Sequence, residues 1–352
     1  MRIVFIHSLN NFSGSPKVLA TIIRALSNKY EVSLITSKTS GFLSDMPKVK
    51  YINNYYKWTN NKVLTLILLV TSQIVVFFKI LLYTKKDTIF YVNTIIPASA
   101  SLACKISGKK MVYHVHENMN KQSLLYIYLK FIYDNCNIKS IFVSQYLQDI
   151  TTEKKNSCVI YNCLDDEFKN KSELYTNSKK ETILLIASLR KYKGINEFVL
   201  LANLLPNYTF EMVLSSSESE IEHYFMQTDI PSNLTLYSLQ NDLHPFYQRA
   251  KLLLQLSHPN EWIESFGLTI IEAMAYSIPV IAPNVGGPVE IITNNIDGFT
   301  VNPLELEVVK QKIQFLMEDN STYQRFSRNA LQKSKQFKEE EMISKIEKYI
   351  LQ

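Results

Sequence analysis

With 352 residues, 46% of them hydrophobic and 20% charged, the chain has the apolar mass for two domains of ordinary size, which excludes a disordered or fibrous protein. Its four cysteines, Cys104, Cys136, Cys158 and Cys163, form no CxxC pair and have no histidine at ligand spacing, so neither a zinc site nor a disulfide framework is indicated and a reducing compartment is expected. The net charge of +6 is uneven: residues 1–165 carry 20 Lys and Arg against 8 Asp and Glu, the remainder 18 against 24, yet no Arg-rich tract or basic helix points to nucleic acid.

The opening MRIVFIHSLN has an apolar run of only Ile3 to Ile6, too short for a secretory leader, and reads as a first strand of a cytoplasmic protein. A loop rich in Asn, Ser and Gly follows from Asn10 to Pro16. Val18, Ile22, Ile23 and Leu26 then recur at helical spacing, and Val32 to Ile35 is a second strand. This βαβ start predicts a parallel sheet whose loops at the strands' carboxyl ends meet ligand, which makes Gly14 a candidate contact. The missing GxGxxG after the first strand disfavours a nicotinamide Rossmann enzyme.

Val63 to Tyr83 is the most apolar segment and is about the ~20 residues that a bilayer span requires. Three readings stay open: a span, a buried helix of the first domain, and a helix lying on a membrane surface. Thr71, Ser72, Gln73 and Lys79 count against a span. Tyr55, Tyr56 and Trp58 before the segment and Lys85 and Lys86 after it suit an interface with anionic head groups. Thr88 to Asn93 is a strand, Ala98 to Ser107 a helix stopped by Gly108, and Met111 to Val115 a strand leading into His116 and Glu117. A histidine at that carboxyl end faces the ligand crevice, so His116 is the candidate acid, base or hydroxyl-binding group. Ile141 to Ser144 and Val159 to Asn162 are two further strands.

Asp165 to Glu181, polar and without apolar periodicity, reads as a linker. Thr182 to Ala187 opens a second sheet, and the basic loop SLRKYKG at its carboxyl end places Arg190 and Lys193 where a diphosphate would sit. Glu197 to Leu205 and Leu243 to Ala250 are helical; Phe210 to Leu214, Leu234 to Leu236 and Leu252 to Leu256 are strands. The stretch Ser257 to Gly287 then reads loop, helix, strand, turn. It holds two carboxylates, Glu264 just before the helix and Glu272 within it, separated by seven residues that include Ser265, Phe266, Gly267, Leu268 and Thr269. The amides of Phe266 to Leu268 fall where a helix begins and can bind an anion, and Gly267 lets a ligand approach the main chain. Glu290 to Thr293 and Asn295 to Phe299 are expected to close the sheet. Val308 to Leu316, Ser321 to Gln336 and Glu339 to Leu351 are helices.

The run E-S-F-G-L-T-I-I-E-A-M-A-x-x-x-P-V-I-A followed by G-G resembles the donor-binding signature of the retaining GT-B glycosyltransferases of family four, and V-Y-H-V-H-E and Lys193-Gly194 resemble further stretches of that family. The resemblance implies an α/β GT-B fold of two Rossmann-like, doubly wound domains facing across a cleft. An acceptor domain would span 1–165, with the helix 339–352 packing back on it, and a nucleotide-sugar domain 166–338. It implies that Arg190 and Lys193 neutralise the donor diphosphate, Glu264 holds a hydroxyl of the transferred sugar, Glu272 the nucleotide ribose, and His116 meets the sugar. No cofactor or metal is expected, since no Asp-x-Asp occurs. The expected partners are a nucleotide sugar, a saccharide or lipid-linked saccharide acceptor of surface-polysaccharide assembly, and the anionic inner face of the cell membrane. Three departures stand out: Ser188 where arginine is usual, Cys163 where glycine is usual, and a glycine loop that only Gly14 matches. They leave open a catalytically silent subunit binding a partner transferase; a sugar-nucleotide epimerase is the other alternative.

Overall fold

The computed structural model describes residues 1–59, 61–119, 123–136, 139–151, 156–174 and 180–352. The chain forms two units, Met1–Asn162 together with Glu339–Gln352, and Cys163–Lys338.

The first unit runs β1 (Arg2–Ile6), α1 (Gly14–Leu26), β2 (Glu31–Ser37), β3 (Val49–Asn54), α2 (Lys62–Leu81), β4 (Thr88–Asn93), α3 (Ala98–Ile106), β5 (Lys110–Val115), α4 (Leu124–Cys136), β6 (Ser140–Phe142), α5 (Gln145–Asp149) and β7 (Ser157–Val159). Its sheet is parallel throughout, in the order β3-β2-β1-β4-β5-β6-β7. Helices on both faces explain why β1, β4 and β5 read as continuous apolar runs, with Val4, Phe5, Tyr91, Val92 and Val115 fully buried. The crossover from β1 to β2 runs one way along the sheet and those from β3 through β6 run the other. Right-handed connections therefore put α1 on one face and α2, α3 and α4 together on the opposite face. In keeping with this, α2 packs on α3 and α3 on α4.

The second unit runs α6 (Asp166–Leu174), β8 (Thr182–Ala187), α7 (Ile195–Leu204), β9 (Thr209–Leu214), α8 (Glu218–Phe225), β10 (Leu234–Tyr237), α9 (His244–Arg249), β11 (Ala250–Leu254), α10 (Leu268–Ala275), β12 (Val280–Pro283), α11 (Pro288–Ile291), β13 (Gly298–Val301), α12 (Leu306–Glu318) and α13 (Asn320–Ser334). Its sheet, also parallel, has the order β10-β9-β8-β11-β12-β13 around a core that includes Ile183, Leu185, Phe198, Phe210 and Leu254. The last helix, α14 (Glu339–Leu351), belongs to the first unit: it packs on α1, and Glu347 accepts from Lys29 Nζ and Tyr30 Oη, both at 2.7 Å.

Several expectations are corrected. Asp165 to Glu181 is not a plain linker: residues 166–174 are helix α6, whose start is held by Asp165 Oδ1 accepting from the Phe168 N–H at 2.8 Å and whose Phe168 packs on His244, Tyr247 and Tyr276. Residues 175–179 of that stretch lie outside the described residues. Glu290 lies in the short helix α11 rather than in a strand, and the last strand is β13. The strand expected from Val159 is β7, Ser157–Val159. The reading of Val63 to Tyr83 as a buried helix fails, because only Leu69, Ser72, Val76 and Ile80 of α2 are buried.

Candidate active site

In each sheet the strand order reverses beside the first strand, between β1 and β4 and again between β8 and β11. Loops leaving the carboxyl ends at such a reversal diverge to opposite faces and open a crevice between them. In the second unit these are the loop after β8, with Arg190 and Lys193, and the loop after β11, which runs from Gln255 to Glu264. That topology is why two residues 71 positions apart meet: Lys193 Nζ donates to Glu264 Oε1.

Around this ion pair the two loops are stitched together. Ser257 Oγ donates to the same Glu264 Oε1 at 2.9 Å, and the His258 N–H donates to the Tyr192 carbonyl at 2.8 Å. The Lys193 ammonium lies 5.2 Å from the centroid of the Trp262 ring, and that ring stacks on Tyr192 at 5.1 Å and 14°. The His258 ring sits between two carboxylates, Nδ1 3.1 Å from Glu261 and Nε2 3.0 Å from Glu197. Burial pulls its pKa down, but the two carboxylates outweigh that and leave it raised. Gly194 has φ +76° and lies so close to the Leu256 backbone that a Cβ would overlap it, so a glycine is required for the two loops to touch.

Glu264 leads directly into α10. Gly267 precedes the helix with φ +116° and its carbonyl accepts from the Ile270 N–H at 3.0 Å, while the amides of Leu268 and Thr269 stand ahead of the first intrahelical bond. Leu268 and Thr269 are the first two helical residues and are partly exposed, while Ser265 is partly exposed and Phe266 buried just before them. From behind, the Gly287 N–H donates to the Glu264 carbonyl at 2.8 Å. A Cβ on Gly287 would collide with the Phe266 main chain, so this glycine lets the turn after β12 support the loop. Glu272, one turn along α10, is no exposed helix residue: it is buried and accepts from Tyr247 Oη at 2.7 Å. Arg190 is exposed and stands at the amino end of the 3-10 turn Lys191–Lys193.

Gly14 and His116 lie in the first unit, Gly14 at the start of α1 and His116 just past β5. His116 Nε2 donates to Asn93 Oδ1 at 3.0 Å, so a fully buried asparagine fixes the tautomer of His116, and His7 Nδ1 lies 3.1 Å from Asn93 Nδ2 and 3.4 Å from the Asn93 carbonyl. Behind them Tyr91 Oη and His114 Nδ1 share a hydrogen bond of 2.9 Å, and the His114 and His116 rings lie 4.1 Å apart. Burial holds all three histidines neutral, His7 at about 4, His114 at about 3, and His116 well below its ordinary value with the two neighbouring imidazoles adding to the effect.

The described residues include no group of three or more His, Cys, Asp or Glu able to hold a metal ion. The site's positive charge comes from Lys193, Arg190 and the α10 amides, an arrangement suited to a diphosphate.

Residues 166–333 match the family model described as Glycosyl transferases group 1. Over this segment the chain is similar to the group 1 glycosyltransferases. The chain is 23% identical over 238 residues to a poly(glycerol-phosphate) alpha-glucosyltransferase of Bacillus subtilis, covering 64% of this chain and 35% of that protein. It is 40% identical over 74 residues to a sucrose synthase of Melioribacter roseus, covering 20% of this chain and 9% of that protein. The matches thus span about a third or less of the length of these curated relatives. Among solved structures, Anabaena HepE, crystallised with UDP and glucose, is similar with a TM-score of 0.79 at 18% identity, covering 99% of this chain and 98% of that one. The architecture is that of the GT-B glycosyltransferases, two Rossmann-like α/β units.

Within the matched segment, the ion pair lies on the loops that lead into α10, and Glu272 lies one turn along that helix. Reading the sequence alone misses Tyr192, Ser257, Trp262 and Tyr247. Trp262 and Ser257 lie inside the recognised stretch, and their nearness to Glu264 was the available signal. Tyr247 sits 25 residues before Glu272, and no local pattern links the two.

Proposed function

We propose that the protein is a retaining glycosyltransferase that moves a hexose-type sugar from a nucleoside diphosphate sugar to a saccharide acceptor, lipid-linked, in surface-polysaccharide assembly. The observation that carries the reading is the Lys193–Glu264 pair with Ser257 at the amino end of α10. As the bond from sugar to diphosphate breaks, negative charge grows on the leaving phosphate. Lys193, Arg190 and the first amides of α10 stabilise it where it forms. Glu264 holds a hydroxyl of the transferred sugar, and Glu272, oriented by Tyr247, holds the ribose. His116 meets the sugar from the first unit as a neutral imidazole whose Nε2–H is fixed by Asn93. Gly14 contributes a main-chain contact. These groups supply the charge without a metal ion, so turnover persists in EDTA.

The acceptor reading is supported by the basic first unit and by the exposed apolar helix α2; the enzyme works at the cytoplasmic face of an anionic membrane. The name of the Bacillus relative supports a glucosyl group and retention, and the ligands of HepE make UDP-glucose the first donor to try. The test is release of nucleoside diphosphate from UDP-, GDP- and ADP-sugars, with and without crude lipid-linked acceptor, for the wild type, Glu264→Ala and Lys193→Ala. Release from one donor, abolished in both variants, is the expected result. Tight nucleotide binding without release from any donor would sink the reading in favour of a silent subunit.

A further inference from the structure

Helix α2 is apolar on the side it turns to solvent as well as at Leu69, Val76 and Ile80, which are buried. Its inward side spends polar groups on the protein: Ser72 Oγ donates to Asn54 Oδ1 at 2.9 Å, Gln73 Nε2 donates to the Ile96 carbonyl at 3.0 Å, and Gln73 Oε1 accepts from the Ser99 N–H at 3.0 Å. Its outward side is apolar, with Leu66, Ile67, Ile74 and Phe78 between 52% and 55% exposed. A helix on the surface of a soluble protein keeps its outward side polar.

Helix α4, in the same layer, is likewise apolar on its outward side. Leu129, Ile132, Tyr133 and Cys136 face inward, while Ile127 and Phe131 are 58% and 65% exposed. The short α3 between them is made largely of buried small residues, so α2 and α4 stand on either side of it as two apolar ridges. A patch of this kind marks a surface that another apolar phase covers.

The charges of the layer identify that phase. Helices α2, α3 and α4 carry Lys62, Lys79, Lys105 and Lys130 against a single acid, Asp134, which is bound to Lys130 at 2.6 Å. The first unit as a whole has 22 Lys and Arg against 11 Asp and Glu. Trp58 and Tyr55, 51% and 69% exposed, precede the amino end of α2, where interfacial aromatics belong.

We propose that the outward faces of α2 and α4 together form a docking surface for an anionic phospholipid bilayer, with both helices lying in the plane of the head groups. At 20 residues and a mean hydropathy of 2.3, α2 has the length to cross a membrane. However, it connects β3 to β4 of one sheet, and a crossing would strip its inward hydrogen bonds and leave them unpaired in hydrocarbon. A second copy of the chain would bring like-charged layers together, whereas anionic lipid complements them. The proposal rests on the transferase reading only for what docking accomplishes, which is delivery of the lipid-linked acceptor; the docking itself can be measured without turnover.

The experiment is sedimentation of the full chain with phosphatidylethanolamine–phosphatidylglycerol vesicles and with phosphatidylcholine vesicles. The variants are Ile67→Glu, Ile74→Glu and Phe131→Glu, with Leu200→Glu, an exposed apolar position in the second unit, as control. Wild type and control are expected to bind the anionic vesicles and bind phosphatidylcholine far less. Each of the three variants weakens binding about tenfold or more, as loss of one inserted apolar side chain requires, and all bind UDP like the wild type. Equal vesicle binding by Phe131→Glu and wild type would remove α4 from the surface. A wild type that ignores vesicles but sediments as a dimer broken by Ile67→Glu would overturn the proposal in favour of a second copy. Vesicle binding without nucleotide release would sink the transferase reading and leave this one standing.

Discussion

Lys193 and Glu264 are bound to each other, so the cation that is to receive the donor's diphosphate is already held by a carboxylate of the same site. An incoming diphosphate competes with Glu264 for Lys193. Two opposite effects on nucleotide affinity are expected. Glu264→Gln binds free nucleoside diphosphate more tightly than the wild type, because the competing charge is gone, and yet turns over more slowly. Lys193→Ala binds it more weakly and loses about 10²- to 10³-fold in kcat, the scale of one missing oxyanion donor. Calorimetric titration with UDP alongside turnover checks both signs.

Tyr247 and Glu272 form a second buried pair, at 2.7 Å. Tyr247→Phe keeps the ring that stacks on Tyr276 and removes only the hydroxyl. The expected loss is about 1.5–3 kcal/mol, the range for a hydrogen bond to a charged group. Urea unfolding measures it, and a higher KM for the nucleotide sugar at nearly constant kcat accompanies it if the carboxylate holds the ribose.

Asn93 is fully buried between two histidines, and Asn93→Ala removes the acceptor of His116 Nε2 while His7 Nδ1 keeps the residue-93 carbonyl at 3.4 Å. The cost is about 1–3 kcal/mol for a buried group left unsatisfied. Because the His116 tautomer is released as well, kcat falls and the acid limb of its pH profile moves; a merely structural asparagine would lower stability without moving that limb.

Both sheets were legible because strands buried on two faces become apolar runs, as in Ile3 to Ile6 and Thr182 to Ala187. The edge strand β3 was not, since only one side of it packs and Val49–Asn54 shows no apolar run or alternation. Helix α4 hid for a different reason: its outward residues are as apolar as its inward ones, which erases the period that marks a surface helix. The segment at α2 was readable as a helix but not in its orientation, because Ser72 and Gln73, which look like residues meant for water, face the protein beside Leu69, Val76 and Ile80. In the site, Glu264, Gly267 and Glu272 carried a recognisable spacing. Their partners Lys193 and Tyr247 are brought to them by the strand order, and pairing across 71 and 25 residues has no local signature.

The two units are expected to respond to pH in opposite directions. His7, His114 and His116 are neutral in the folded first unit and take up protons on unfolding once the pH is below about 6.5. The first unit therefore loses stability as pH falls from that value through about 4 and about 3. His258 has a raised pKa in the second unit. Its contribution is complete below the unfolded value and fades as pH rises through the folded one. Calorimetric scans at pH 5 and pH 7.5 should move the two transitions apart, with His114→Gln flattening the first and His258→Gln the second.

The return of α14 to the first unit makes the second unit an insertion within the first, which has a consequence for synthesis. Domains fold in the order in which they leave the ribosome, but here residues 163–338 have all their own chain before the first unit has its last helix. The half of the protein that is translated first is completed last. Until Glu347 reaches Lys29 and Tyr30, the surface of α1 that α14 covers stays open. Loss of Glu339–Gln352 would thus leave the matched segment 166–333 whole and injure the unit that begins with β1.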